Sequence, residues 1–157
     1  MRGAFERLVV PISGSAEDAR AFDALPALIG KEGGAVTFLY VVEVPQSMPL
    51  DAELPAEIDE GERALREAER ITRKRLHARS THVVTELLQA RAAGPAIVDE
   101  AIEREADAIL MTSSIHRKHG RATLGETTDH VLLHAPCEVV VIRLAPPRPP
   151  LEGADSP

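Results

Sequence analysis

Five short apolar segments recur along this chain, and they are the feature that most restricts its fold. They are RLVVPI (7–12), AVTFLYVVEV (35–44), THVVTELLQ (81–89), ADAILMTS (106–113) and CEVVVIRL (137–144). The second lacks the polar alternation of a half-exposed strand, which is typical of a strand covered on both faces. Stretches with helical periodicity separate the five segments. Strands that alternate with helices predict an α/β fold with a parallel sheet between helices and right-handed crossovers.

The first helix should begin directly after the turn Ser13–Gly14–Ser15. Ser15 is a suitable N-cap because its hydroxyl can accept an early backbone N–H, and Asp18 follows three residues later. Pro26 lies within the apolar face of this helix and predicts a kink or an early end.

Three further helices are predicted over 57–78, 95–104 and 124–134. Pro95 fits the first position of a helix, and Pro136 ends the last one. Helical spacing predicts the buried side chains. They are Ile58, Gly61, Leu65, Ala68, Thr72 and Leu76 in the first of these helices, Ile97, Val98, Ala101 and Ile102 in the second, and Leu124, Thr128, Val131, Leu132 and Ala135 in the third.

Charge, cysteine content and the length of apolar runs exclude several classes of function. The formal net charge of −7 argues against a nucleic-acid partner, which requires a basic face. The single cysteine, Cys137, favours a reducing compartment. No apolar run approaches the roughly 20 residues of a membrane helix, so we expect a cytoplasmic protein that does not insert into a membrane. Residues 1–144 should form one domain, followed by a Pro-rich disordered tail over 145–157.

In open parallel sheets, ligands bind beyond the carboxyl ends of the strands, where the direction of winding reverses. If that reversal lies between the first and fourth strands, the candidate site is formed by residues 11–14 and 111–125. The second segment enters the stretch TSSIHRKHGRATLGETTDH (112–130), which is rich in basic residues and histidines.

Over about residues 7–144 the chain resembles the universal stress protein family. The stretches RLVVPISGSAED, AVTFLYVVEV, AGPAIVDEAIEREADAILMTSS and especially LGETTDHVLLHAPCEVVVIR carry the resemblance. It implies a Rossmann-like, five-stranded parallel sheet in the order 3-2-1-4-5 and a homodimer through the last strand (137–144). It also implies a role in stress survival, with ATP bound by some members. The basic loop and the sequence after Gly125 further resemble stress-protein domains attached to amino-acid permeases and antiporters, which implies a protein or transporter partner.

ATP-binding members of that family carry a loop of the form G-x-x-G, nine residues, then G-[S/T]. If the late glycine is Gly125, Thr112, Ile115 and Glu126 occupy the other three positions. Glycines let backbone N–H groups approach phosphate oxygens, and the last pair opens a helix whose positive end faces them. A carboxylate at Glu126 would instead repel a triphosphate, by roughly 4 kcal/mol for two charges about 4 Å apart. The resemblance therefore implies weak or absent ATP binding.

The first strand also departs from the ATP-binding pattern, since Ser13 stands where those members have an aspartate. The adenine-side positions Pro11, Val41 and Met111 stay apolar. The candidate nucleotide-binding residues are Pro11, Ser13, Val41, Met111, Thr112, Ser114, Ile115, Arg117, Lys118, Arg121, Gly125, Glu126 and Thr127.

Two alternatives stay open in the basic loop over 116–121. Its side chains could hold an adenine nucleotide with fewer phosphates, or a cyclic one, or they could form a solvated surface. Thr123 and Glu126 also match the capping-box pattern at a helix start. No catalytic grouping or metal-ligand spacing is present. The sequence thus predicts a non-enzymatic regulatory or stress-response module, at most a weak ATPase, with a nucleotide-binding switch that uses the basic loop as the alternative.

Overall fold

A computed structural model describes residues 4–151 of the chain. In chain order its elements are β1 (Arg7–Pro11), α1 (Asp18–Leu28), β2 (Ala35–Glu43), α2 (Pro55–Arg75), β3 (His82–Ala90), α3 (Ala93–Glu103), β4 (Ala108–Ser113), β5 (His116–Lys118), β6 (Arg121–Thr123), α4 (Glu126–His134) and β7 (Glu138–Arg143).

Five strands form one parallel sheet in the order β3-β2-β1-β4-β7. The predicted α/β fold and the order 3-2-1-4-5 are confirmed, because β7 is the fifth of the long strands. Strand β1 is central: Leu8 pairs with Val36 on one side and with Ala108 on the other. The strand order reverses beside β1, which places the candidate site at the carboxyl ends of β1 and β4.

The sheet has a separate hydrophobic core on each face. Successive side chains of a strand point to opposite faces, so Leu8 and Val10 pack with α1 and α2, whereas Val9 packs with α3 and α4. All three side chains are fully buried. Burial on both faces explains why the strands are continuously apolar, and each buried aliphatic side chain contributes about 1.5–3 kcal/mol.

Helix α1 begins later than predicted. It begins at Asp18, because Ser15–Glu17 form a preceding turn whose carbonyls accept the N–H groups of residues 18–20. The helix runs through Pro26 and ends two residues later, at Leu28. Pro26 lies in the last turn, where the Arg79 guanidinium donates to the carbonyls of Pro26 (2.8 Å) and Ile29 (3.2 Å). Arg79 thus satisfies carbonyls that the helix end leaves without an intrahelical donor.

The buried stripes of the outer helices are narrower than predicted. In α2, Gly61, Leu65, Ala68 and Thr72 are buried as expected. Ile102 of α3 and Leu132 of α4, both predicted to be inside, are 56% and 48% exposed. Each follows directly after the last buried residue of its helix, Ala101 or Val131, and one residue turns the side chain about 100° away from the sheet.

No helix in the described part of the chain is long and apolar enough to span a membrane. Residues 145–151 of the Pro-rich tail are exposed and form neither helix nor strand, and the predicted tail residues 152–157 lie outside the described range.

Candidate functional site

A cleft of about 750 Å³ opens at the carboxyl ends of β1, β2 and β4. Pro11, Val41 and Met111 lie on its apolar side, at the ends or close to the ends of these three strands. The turn after β1 forms one wall, and the beginning of α4 forms the opposite one. The predicted residues that line this cleft are Pro11, Ser13, Val41, Met111, Thr112, Ser114, Gly125, Glu126 and Thr127. Ile115, Arg117, Lys118 and Arg121 are outside this lining and exposed.

The basic stretch, which was predicted to be a loop, folds as a β-hairpin. Strands β5 and β6 pair antiparallel, with His116 opposite Thr123 and Lys118 opposite Arg121. The two residues at the tip, His119 and Gly120, have φ of 52° and 75°. Positive φ at both central residues defines the two-residue turn that best matches the twist of a hairpin. The histidine and glycine at the tip therefore set the register of the basic side chains.

The hairpin separates the three basic candidates onto two faces. His116 lines the cleft, and Lys118, two residues along the same strand, shares its face because strand side chains alternate. Arg121 is paired with Lys118 and shares that face too. Arg117 lies between His116 and Lys118 and points to the opposite face. Lys118 and Arg121 therefore share the hairpin face of His116, although both lie outside the cleft lining, and Arg117 is on the other face.

Helix α4 starts at the cleft, and its N-cap residue has a backbone conformation that is essentially confined to glycine. Gly125 is the N-cap, with φ 96° and ψ 158°, a region essentially confined to glycine. The Thr123–Glu126 capping box is wrong: Thr123 Oγ1 accepts the Gly125 N–H (3.1 Å) and donates to Asp129 (3.4 Å). Because Gly125, not Thr123, is the N-cap, Thr123 lies two residues before the N-cap, and Glu126 is the first helical residue where a capping box requires the third. Glu126 is exposed in the first turn of α4, beside the cleft.

A buried hydroxyl pair ties the hairpin to the sheet. Ser113, the last residue of β4, donates from Oγ to the carbonyl of Leu124 (2.7 Å), and Thr128 Oγ1 donates to Ser113 Oγ (3.1 Å). Ser113 and Thr128 are about 5% and 4% exposed. Leu124 immediately precedes Gly125, so this network fixes where α4 begins relative to the strand ends.

Asp18 lines the cleft, although its sequence position predicted only a role at the start of α1. Its carboxylate reaches back to the turn after β1, where Oδ1 accepts the Ser13 N–H (3.0 Å) and Oδ2 accepts the Gly14 N–H (2.8 Å). Ser13 Oγ also lies 3.2 Å from Oδ1. Burial raises the pKa of Asp18, against the lowering effect of these hydrogen bonds. The sequence feature that could have predicted these contacts is an aspartate five residues after Ser13, the first residue of the Ser-Gly turn.

The cleft is lined by more acidic than basic groups. Glu17, Asp18, Glu43 and Glu126 line it, and His116 is the one histidine, lysine or arginine of its lining among the described residues. Glu43 Oε1 accepts the Ala93 N–H at the start of α3 (3.0 Å). The pKa of the Tyr40 phenol is raised by burial and then by Glu60, Asp18 and Glu57. The electrostatic environment therefore opposes a highly charged anion.

Residues 4–151 hold no cluster of His, Cys, Asp and Glu that could bind a metal ion. Cys137 is half-buried, and burial raises the pKa of its thiol, which is the opposite of what a reactive thiolate needs.

The family model for "Universal stress protein family" matches residues 4–143. The chain belongs to the universal stress protein family. The match spans the whole sheet and every helix, so the family assignment covers both walls of the cleft. No curated protein matches the chain in sequence.

Solved structures of universal stress proteins share this fold. UspA from Lactobacillus plantarum is 25% identical, with a TM-score of 0.59, and the match covers 90% of this chain and 100% of that one. The universal stress protein from Archaeoglobus fulgidus in complex with dAMP is 20% identical (TM-score 0.62; 87% and 96% covered). A universal stress protein in complex with cAMP is 19% identical (TM-score 0.60; 90% and 99% covered).

Proposed function

We propose that this chain is a non-enzymatic regulatory module of the stress response, in the cytoplasm, with weak or absent ATP binding. The observation that carries the proposal is the acidic lining of the cleft, with Glu126 in the first turn of α4. The positive end of a helix is the usual place for a ligand phosphate. Here a carboxylate of the protein stands at that end, and Glu17, Asp18 and Glu43 add like charges around the same cleft.

A second candidate is a switch that binds an adenine nucleotide with one phosphate, such as AMP or a cyclic nucleotide. The apolar side of the cleft, Pro11, Val41 and Met111, supports it because a base needs apolar contact. Relatives with dAMP and cAMP bound share the fold. The hairpin face that carries His116 also carries Lys118 and Arg121, just outside the cleft lining, and these could bind a single phosphate group in place of backbone N–H groups.

The hairpin geometry provides a matched test of the second candidate. We would measure AMP, cyclic AMP and ATP affinity by calorimetry for the wild type and for Lys118→Glu, Arg121→Glu and Arg117→Glu. Binding through the hairpin predicts that the first two substitutions abolish affinity and that Arg117→Glu, on the opposite face, has little effect. Equal loss in all three variants would indicate a nonspecific charge effect. Binding of ATP as tight as that of AMP would refute the proposal of weak ATP binding.

We also propose a homodimer through β7. In the sheet order β7 is an edge strand, and Val139–Ile142 are only partly buried. An apolar edge needs covering, and the same strand of a second copy would cover it. A regulatory partner, either a protein or a transporter, would then act on the dimer.

Sedimentation at micromolar concentration tests the dimer. Val140→Lys on β7 should give a monomer, whereas Thr85→Lys, on the opposite edge strand β3, should leave the dimer intact. A wild-type monomer would contradict the proposal.

A further inference from the structure

A second cavity, of about 620 Å³, forms a groove on the surface between α1 and α2. Residues of the stretch 14–22 form one wall of this α1–α2 groove, and residues of the stretch 60–71 form the other. In the described part of the chain its lining shares only Asp18 with the lining of the cleft. The Asp18 carboxylate is directed into the turn after β1, so the groove and the cleft are separate surfaces.

The floor of the groove is apolar, and most of its apolar residues are small. Ala16 and Ala19 on the α1 wall are exposed, and Ala64 on the α2 wall is half-buried. Phe22 and Ile71 are the larger apolar residues of the lining. Two helices that pack along their whole length fill the space between them with interdigitating side chains. Alanines leave part of that space open here, which gives a trough with apolar walls.

Two arginines of the groove have no carboxylate partner within the described residues. Arg63 and Arg66 line the groove, are exposed and form no ion pair there. Glu67, which also lines it, is engaged in a bidentate pair with Arg70 (3.0 and 2.7 Å). Glu60 is then the one acidic residue that faces these two arginines across the described lining. A guanidinium binds a carboxylate through two parallel hydrogen bonds, so the groove can still accept carboxylates from outside.

We propose that the α1–α2 groove binds an acidic amphipathic helix of another protein. Its apolar floor fits apolar side chains at helical spacing, and Arg63 and Arg66 fit carboxylates that flank them, as in helix-in-groove recognition. The net charge of −7 disfavours a nucleic acid, which requires a broad basic face. The description of this helix as part of a regulatory partner rests on the proposed function; the groove and its charges do not.

A designed peptide tests the groove in an NMR titration of the wild type. Its helical pattern has leucine at i, i+3, i+4 and i+7 with glutamate on both flanks, and two reference peptides carry lysine in place of glutamate or serine in place of leucine. We expect the first peptide alone to shift the amide signals of Ala16, Ala19 and Ala64 in a saturable way. The titration contains no nucleotide, so failure of the proposals for the cleft would leave its outcome unchanged.

Charge reversal tests the role of the arginines. Arg63→Glu and Arg66→Glu should each weaken binding of the acidic peptide by roughly fivefold or more, because attraction becomes repulsion. Arg73→Glu is the matched control, since Arg73 is an exposed arginine of the same helix that pairs with Glu69 (2.8 Å) and lies outside the groove. Its affinity for the peptide should stay close to that of the wild type.

Filling the groove tests the apolar floor without a change in charge. Ala19→Leu should block the peptide, whereas Ala27→Leu, at an exposed position of the same helix outside the groove, should not. The proposal would be overturned by a wild type that shows no shift with the acidic peptide, by equal losses in Arg63→Glu and Arg73→Glu, or by unchanged affinity in Ala19→Leu. It would also be overturned if phosphatidylglycerol vesicles or duplex DNA shifted the groove signals and the peptide did not.

Discussion

Gly125→Ala should destabilise the protein through its backbone alone. Gly125 has φ 96° and ψ 158°, where a residue with a Cβ costs about 1–3 kcal/mol. A Cβ added there would lie 3.5 Å from His116 Cδ2, which is ordinary van der Waals contact. Steric overlap therefore adds nothing to the cost. Alanine also lowers the entropy of the unfolded chain, which returns about 0.4–1 kcal/mol.

The net loss in the free energy of unfolding should be about 1–2 kcal/mol, or about 2–8 °C in the melting temperature of a domain of this size. Urea unfolding measures it, with a lower midpoint and an unchanged m-value. Gly120→Ala is the matched control: Gly120 also has positive φ (75°) and open space around its Cα, but it lies at the hairpin tip. It should cost less than about 1 kcal/mol, because local opening of the hairpin relieves the strain. A Gly125→Ala protein as stable as the wild type would refute the assignment of strain to the start of α4.

Three further predictions concern Ser113, Gly61 and Asp18. Ser113→Ala should lower the free energy of unfolding by about 1–3 kcal/mol, because it leaves the Leu124 carbonyl without its donor and Thr128 Oγ1 without its acceptor. Urea unfolding measures this loss, with Ser114→Ala as the control. Equal losses in the two variants would contradict the role of the hydroxyl pair. In Gly61→Ala the added Cβ would lie 2.5 Å from Tyr40 Cδ1 and 2.8 Å from Leu87 Cδ1. This overlap should destabilise the protein by about 1–3 kcal/mol, from which the small gain in helix propensity is subtracted. An unchanged melting temperature would show that Tyr40 moves freely. Burial raises the pKa of Asp18 in the folded state, so its contribution to stability is fully present below the unfolded pKa of 3.8 and is lost as the pH rises through the folded value. The free energy of unfolding of the wild type relative to Asp18→Asn should therefore fall with rising pH across that window, as measured by unfolding curves at several pH values. A rise would refute the direction of the shift.

The sheet could be predicted from the sequence because its strands are buried on both faces. Continuous apolar runs such as AVTFLYVVEV leave little choice of structure, and the helices between them determine parallel pairing. The cleft followed from the same reasoning, since Pro11, Val41 and Met111 lie at strand ends that meet at one edge of the sheet.

The contacts made by polar side chains were harder to predict. The segment HRKHGRAT has no apolar alternation, so the hairpin is specified by the turn at His119–Gly120 rather than by burial. The hydrogen bonds of the Asp18 carboxylate to Ser13 and Gly14 were not predicted, for a related reason. An aspartate near a helix start can hydrogen-bond forward into the helix or back into the preceding turn, and only the three-dimensional path of the Ser13–Gly14 turn decides between them.

The hairpin has a consequence for how binding could be observed. Its two strands pair only with each other within the described chain, and an isolated two-stranded hairpin is marginally stable in water. Its amide hydrogens should therefore exchange with solvent much faster than those of the central strands, through openings that leave the sheet intact. Any molecule that contacts Lys118 and Arg121 together must hold the hairpin closed, so part of its binding energy would be spent on local order. Slower hydrogen exchange in β5 and β6 would then report occupancy of the cleft even for a ligand that leaves the average structure unchanged.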